Sequence, residues 1–505
     1  MKVTEKTSKI DSEKIFSQIR TKSDSFWRTS LGKNSLALFA QAAHSVPAYK
    51  EYLKKSNIQP SKIKTQADFE KVPPMTKKEY LSGNSLAEMC WPDTLRNKLV
   101  FTSTSGSTGE PFYFPRGRDL DWQYSVLLEQ FLNNTSAKGE STLIVVCFGM
   151  GVWIGGLITY HAFELVNERG NHAVSLITPG VNKKEIFAAL KNVAPSFDNV
   201  ILCGYPPFIK DVIDEGPAHE IDWKKFKMKT LFAAESFTES FRDYIVENAG
   251  IKNALTDTMN IYGSAELGAM ANETPLSILV RRLALANKTV YNQLFVDVDR
   301  TPTLAQFNPN FIQFEAIEKT ILVTGNNALP LIRYAIGDHG GVLSFNEVVE
   351  IFTKKGIDLL AEAKTAGISK EAIHKLPFVY VYERADLSTK LYGAIIYPEF
   401  IKEALSHKEL EKFVTGKFTM FTNFTDQQDE YLEINVELKQ NAAATMELER
   451  MTTKVISDTL KARSAEHKNN AQMMADKVEP RIVFWNHEDP EHFRVGIKQK
   501  WVKRS

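Results

Sequence analysis

Apolar and polar positions along the chain fall into successive textures. Over roughly the first 90 residues apolar side chains recur at three- and four-residue intervals, which predicts helices over residues 14–26, 35–43 and 48–56. From about residue 97 short β-rich runs alternate with amphipathic ones. KLVFTST precedes DWQYSVLLEQFL, TLIVVCF precedes a Gly-rich turn and an apolar helix, and AVSLIT precedes KKEIFAALKNV. NVILCG then leads into PPFIKDVIDEG, and TLFAA into TESFRDYIVENAG. Strand and helix in alternation predict an α/β domain with parallel strands. Beyond residue 260 come the β-rich runs FIQFEAIE, KTILVTG, HGGVLSF and FVYVYE, preceded by SILVRRLALANK, a helical pattern with no legible purpose.

The texture changes again after Glu383. PEFIKEALSH reads as a helix, KFTMFTNF and EYLEINVELK as strands, residues 442–468 as one long helix and PRIVFWNH as a final strand, together a small α+β unit. The chain therefore divides into 1–382 and 383–505, with no internal repeat. At 505 residues it is too long for a single core.

Composition narrows the classes. With 43% hydrophobic and 24% charged residues the chain is globular in character, and 62 Lys plus Arg against 61 Asp plus Glu leaves no net field for steering nucleic acid. Three widely spaced cysteines suggest neither a disulfide framework nor a metal site, so a reducing, cytoplasmic setting is expected. The N-terminal residues lack the apolar run of a signal peptide. Residues 141–163 contain no Asp, Glu, Lys or Arg over a length that would span a bilayer, but glycines at 149, 151, 155 and 156 interrupt them. A buried strand, a turn and a buried helix are expected there instead, with no membrane association.

Residues 102–109, TSTSGSTG, place six Ser or Thr and two Gly in eight positions directly after an apolar run. Gly lets backbone N–H groups approach phosphate oxygens closely, and hydroxyls donate without repelling charge. The same composition also fits a surface loop. No Walker A pattern is present, since Glu110 follows Gly109, and GMGVWIGG at 149–156 misses the dinucleotide spacing.

Read with other segments, the run from Thr104 to Pro111 resembles the phosphate loop of the adenylate-forming (ANL) superfamily, its Glu-Pro ending resembling the phenylacetate–CoA ligase branch. Tyr262-Gly263-Ser264-Ala265-Glu266 and Arg333-Tyr334-Ala335-Ile336-Gly337-Asp338 are similar to that superfamily's nucleotide-binding motifs. Glu383-Arg384-Ala385-Asp386, followed by Lys390, Gly393 and Pro398-Glu399, resembles its hinge and the glycine-containing turn beyond it. Residues 71–77 (KVPPMTK) are similar to the branch's entry segment, and the stretch from Ala234-Glu235 to Arg242 to the turn lining its adenine pocket.

The resemblance implies a large multi-subdomain N-terminal adenylate-forming domain with a small mobile C-terminal domain. It further implies ATP- and Mg²⁺-dependent activation of a carboxylic acid as an acyl-adenylate, then transfer to a thiol, that of coenzyme A, or to an amine or protein thiol. A nucleotide-binding homologue without activity is the other reading. By resemblance Ser105, Gly106, Ser107, Thr108 and Gly109 hold phosphates, Glu235, Tyr262, Gly263, Ser264, Asp338 and Arg384 hold the nucleoside, and Asp386 is the pivot. Glu266 is either the Mg²⁺ ligand or a first-turn helix residue favoured by the dipole. Arg333 belongs to the motif or braces its loop. The adenylation lysine is Lys498, with Lys500 as fallback. One residue separates Lys498 from Gly496 where the superfamily usually has none, and a solvated basic tail fits the same residues. Phe148, Trp153, Gly155, Tyr205 and Pro206 are candidates for an acid pocket suited to a flat acyl group, and for ordinary core.

Overall fold

A computed structural model describes residues 5–103, 112–151, 154–296, 301–384, 388–490 and 492–493. Helices Glu5–Thr21, Asp24–Ser45 and Pro47–Lys55 open the chain. The predicted helix over 14–26 is broken because Ser23 takes an N-cap position, its hydroxyl accepting from the Phe26 amide at 3.4 Å. The predicted helix over 35–43 is the second half of Asp24–Ser45.

Strands β1 (Val100–Ser103) and β2 (Tyr113–Arg116) pair with each other as an antiparallel ribbon, so KLVFTST does not join the parallel sheet its alternation with a helix predicts. The sheet itself begins with β3 (Ser141–Val146), β4 (Ala173–Ile177), β5 (Asn199–Gly204), β6 (Lys227–Ala233) and β7 (Thr258–Ser264), parallel in the order β4-β3-β5-β6-β7. Helices follow β3, β5 and β6, and the apolar runs of β3 and β5 are buried, as a sheet covered on both faces requires.

The β-rich runs after residue 260 extend this same sheet. They are β8 (Gly268–Asn272), β9 (Thr303–Gln306), β10 (Ile312–Ile317), β11 (Thr320–Gly325), β12 (Leu331–Leu343) and β13 (Phe378–Arg384). They add antiparallel in the order β7-β8-β9-β13-β12-β11-β10, giving eleven strands.

The C-terminal unit is separate and small. A hairpin of β14 (Thr389–Leu391) and β15 (Ala394–Ile396) precedes a three-stranded sheet of β16 (Val414–Phe424), β17 (Glu430–Leu438) and β18 (Arg481–Trp485). The long helix predicted over 442–468 is two, Met446–Arg463 and Ala465–Met474, because the buried Ser464 ends one and caps the next by accepting from the His467 amide at 3.2 Å. Among the described residues no helix is long and apolar enough to cross a membrane.

The helix Pro275–Ala286 shows what SILVRRLALANK is for. Arg281 and Arg282 reach Glu239 on the helix Glu239–Asn248, and the fully buried Arg242 donates to Glu239 at 3.0 Å and to both oxygens of Glu273 at 2.8 Å. Burial pushes the Glu239 carboxyl up, but Arg242, Arg281 and Arg282 outweigh it and hold the group down at about 2. This ionic core ties the helix beyond β6 to the residue that follows β8 and fixes the sheet where its strands change direction.

Candidate active site

Open α/β sheets bind ligands at the carboxyl ends of their strands. Phe148, Tyr205, Glu235 and Tyr262 lie at or just past the ends of β3, β5, β6 and β7, which are neighbours in the sheet. Adjacent strands sit about 4.8 Å apart, so the four form one row.

At one end of that row Tyr262, Glu266 and Asp338, from the motifs around 262–266 and 333–338, come together. The Tyr262 hydroxyl donates to Asp338 Oδ2 at 2.6 Å, and the register of β12 on β13 sets Asp338 opposite Arg384. Ser264 accepts from the Leu267 amide at 3.3 Å and closes the turn that presents Glu266. A side chain at Gly263 would come within 2.7 Å of the Gly268 carbonyl, so the turn admits only glycine there. Glu266 stands in a turn between β7 and β8, which removes the reading of it as a first-turn helix residue. Its Oε1 accepts from the Tyr334 hydroxyl at 3.2 Å, and Asn327 donates to its carbonyl at 3.2 Å. Tyr334 and Asp338 share β12, so one strand supports both the carboxylate Glu266 and the carboxylate Asp338.

Arg333 is a brace. It is buried, pairs with Glu315, and donates at 2.6 Å to the Glu70 carbonyl and also to that of Val72. The residue 71–77 segment is thereby fastened to β12, with Met75 exchanging backbone hydrogen bonds with Arg333 and Ala335. Thr102, at the end of the ribbon, lies 3.5 Å from the Ala265 carbonyl and sets β1 against the Glu266 turn.

At the other end of the row the small unit closes on the large one. The rings of Phe148 and Tyr205 meet edge to face at 5.3 Å, and a side chain at Gly155 would stand 3.3 Å from the Phe148 ring. Gly393, in the turn between β14 and β15, has φ +83°, and an added Cβ would meet the Tyr205 ring at 2.7 Å. Its amide donates to the Glu235 carboxylate, and Lys390 donates to the Ala234 carbonyl. The Asn260 side chain donates to the Glu235 carbonyl at 3.0 Å, which links this end of the row back to β7.

Glu466, on the helix Ala465–Met474, accepts from the Tyr205 hydroxyl at 3.4 Å. Burial pushes its carboxyl up to about 7; the Tyr205 hydrogen bond and Lys390 oppose the rise and Glu235 adds to it. A carboxyl raised in the folded state binds its proton more tightly there than in the unfolded chain. Stability from this group is therefore full below its usual 4.5 and is lost as pH climbs to about 7. Glu466→Gln is expected to leave the melting temperature unchanged near pH 4.5 and to raise it by about 1–3 °C at pH 8, read by calorimetry at both pH values.

Ser105, Gly106, Ser107, Thr108, Gly109, Trp153, Asp386, Lys498 and Lys500 lie outside the described residues. The sequence pattern did not point to Tyr334 as a partner of Glu266 or to Glu466 at Tyr205. Tyr334 sits inside a recognised motif and was legible in principle. Glu466 carries no signal, since a Glu in the first turn of a helix reads as solvated. Among the described residues no group of three His, Cys, Asp or Glu side chains gathers to hold a metal. All three cysteines are buried, Cys147 and Cys203 immediately ahead of Phe148 and Gly204.

Solved structures share this architecture. That of 2-hydroxyisobutyryl-CoA ligase with 2-HIB-AMP and CoA in the thioesterification state is 15% identical, with 94% of this chain and 89% of that chain covered and a TM-score of 0.61. An open conformation of the same ligase with the same two molecules gives 0.51 at 15% identity, covering 94% and 91%. Its postadenylation state with 2-HIB-AMP gives 0.50 at 15% identity, covering 94% and 89%. No family model and no curated protein matches the sequence. The likeness establishes the fold alone, a large mixed sheet with a separate small C-terminal sheet domain, shared with 2-hydroxyisobutyryl-CoA ligase.

Proposed function

We propose that this chain is an ATP-dependent, AMP-forming carboxylate ligase that activates a small carboxylic acid as its adenylate and passes the acyl group to a thiol, that of coenzyme A. The observation that carries the reading is the meeting of Tyr262 and Asp338 at 2.6 Å, with Asp338 opposite Arg384 and Glu266 on the same strand support. Asp338 offers carboxylate oxygens to the paired ribose hydroxyls. Ser105, Gly106, Ser107, Thr108 and Gly109 would surround the phosphates, and Lys498 would bring a cation to the carboxylate and α-phosphate as they meet. Phe148, Trp153, Gly155 and Tyr205 would wall the acid.

Glu266 fits a magnesium ion in the way Mg²⁺ is usually held, by one or two carboxylates with phosphate oxygens and water completing the shell. One of its oxygens accepts from the Tyr334 hydroxyl, and among the described residues the other has no hydrogen-bond donor. Bound there, the ion would neutralise charge on the phosphates.

We place the division between the units at residue 383 and the pivot at Asp386. The contact of Gly393 with Tyr205 supports reading this arrangement as the one for acyl transfer, and so does the higher likeness to the thioesterification state, 0.61 against 0.50 for the postadenylation state.

The test is pyrophosphate release from ATP over a panel of short, branched and aryl carboxylic acids, with coenzyme A and amines compared as acceptors afterwards. Release with at least one acid is expected. ATP binding with no release across the panel sinks the reading and leaves a nucleotide-binding homologue. With the best acid, Asp338→Ala is expected to raise the KM for ATP about tenfold, the loss of one charge-assisted hydrogen bond, with a smaller change in KM for the acid.

A further inference from the structure

The small unit also touches the large one away from the active-site row, through charge. The helix Pro206–Glu215 presents Lys210 and Asp211 side by side, 1% and 2% exposed as side chains. Opposite them the small unit presents Asp429, just before β17, and Lys477, just before β18. Lys210 Nζ meets Asp429 Oδ1 at 2.9 Å, and Lys477 Nζ meets Asp211 Oδ1 at 3.1 Å. Plus-minus on one side therefore faces minus-plus on the other. Sliding the small unit by one pairing would set Lys477 on Lys210 in one direction or Asp429 on Asp211 in the other, so the pattern rejects neighbouring arrangements as well as favouring this one.

Each side is also neutralised without the other. Lys210 keeps Asp214 at 2.6 Å, Asp211 keeps Lys183 at 3.6 Å, and Asp429 and Lys477 keep each other at 3.5 Å. Breaking a buried pair is costly mainly because it strands a charge. Here separation strands none, which is the property a contact made and broken repeatedly requires. The Tyr392 hydroxyl, donating to Asp211 Oδ2 at 3.3 Å, places the contact on the same β14–β15 hairpin that carries Gly393.

We propose that Lys210–Asp429 and Asp211–Lys477 form an electrostatic latch that registers the small unit in the acyl-transfer arrangement and lets go as ionic strength rises. That the arrangement is the transfer one rests on the function proposed above; the latch itself does not. Lys138→Cys and Met446→Cys give one exposed labelling position on each unit, and the chain's own cysteines are all buried. Energy transfer between dyes there reads the arrangement in the full chain without substrate.

Asp429 and Lys477 are 30% and 41% exposed and so within reach of salt; in the wild-type background the efficiency is expected to differ between about 50 mM and about 500 mM salt, conditions that shorten the screening length roughly threefold. Asp429→Lys, which turns a crossed pair into three facing lysines, is expected to show the high-salt value at both. In the same variant acyl transfer should fall about tenfold while carboxylate-dependent exchange of pyrophosphate into ATP stays within about twofold, a difference of about 1.4 kcal/mol confined to one arrangement. Asp429→Asn should lie between. An efficiency indifferent to salt and to Asp429→Lys overturns the latch, and so does loss of exchange together with transfer. An altered efficiency with transfer unchanged overturns its assignment to the transfer arrangement. Absence of exchange in the wild type with every acid defeats the proposed function instead, while the dye measurement still decides the latch.

Discussion

Gly393→Val is expected to cut acyl transfer about 100-fold and to leave acid-dependent exchange of pyrophosphate within about twofold, a gap of about 2.7 kcal/mol between the two half-reactions. The gap itself comes from the contact with Tyr205, since strain within the β14–β15 turn is common to both half-reactions. The backbone at Gly393 has φ +83°, where a β-branched residue is strained by about 1–2 kcal/mol. The added side chain also begins 2.7 Å from the Tyr205 ring, an overlap that a packed wall absorbs only by shifting, at about 1–3 kcal/mol. The ring has little room to give, because Phe148 meets it edge to face at 5.3 Å and its hydroxyl is held by Glu466. Equal loss of both half-reactions, measured by exchange and by thioester formation on the same preparation, would show that the turn serves adenylation as well and would remove the reading of this arrangement as the transfer one.

The second large effect falls on stability. Arg242→Met is expected to lower the unfolding free energy of the large unit by about 3–5 kcal/mol, read as a shift in the urea midpoint. The guanidinium is fully buried and is the main partner of Glu273, which keeps the Asn260 amide at 3.0 Å and, as its one nearby cation among the described residues, Arg281 at 3.4 Å once it is gone. Arg282→Met, on a side chain 30% exposed, should cost less than about 1 kcal/mol. The contrast separates a stranded charge from a lost surface pair. Glu239, held at about 2, adds a pH signature: its contribution is full above its usual 4.5 and is lost as pH falls toward 2, so acid should narrow the difference between wild type and Arg242→Met.

Much of the architecture was legible in the sequence because burial imposes a period. The runs that became β3, β5 and β6 are apolar enough to be covered on both faces, and the helices between them keep a 3.6-residue stripe. What escaped was decided by single hydrogen bonds or by pairing over long range. Ser23 and Ser464 split helices whose apolar spacing runs straight through them. The ribbon of β1 and β2 has strand composition but pairs only with itself, and the strands after residue 260 gave no sign that they would continue the first sheet. The side of the candidate site around Tyr262 was legible as motifs, because Gly263 has no room for a side chain and Asp338, inside β12, stands opposite Arg384 at the end of β13. The contact between the units was not. Lys210, Asp429, Glu466 and Lys477 read as ordinary solvated charges until the fold sets them opposite one another.

Sealing the cysteines has a chemical consequence under the acyl-adenylate chemistry proposed above, since a free thiolate within reach would attack the carbonyl carbon of such a mixed anhydride and displace AMP. Cys147 and Cys203 adjoin the row that would hold the activated acid, yet both are fully buried and burial pushes their thiols far above the ordinary range. Buried and kept protonated, neither thiol would compete with the incoming acceptor, and the chain would be spared acylation by its own intermediate.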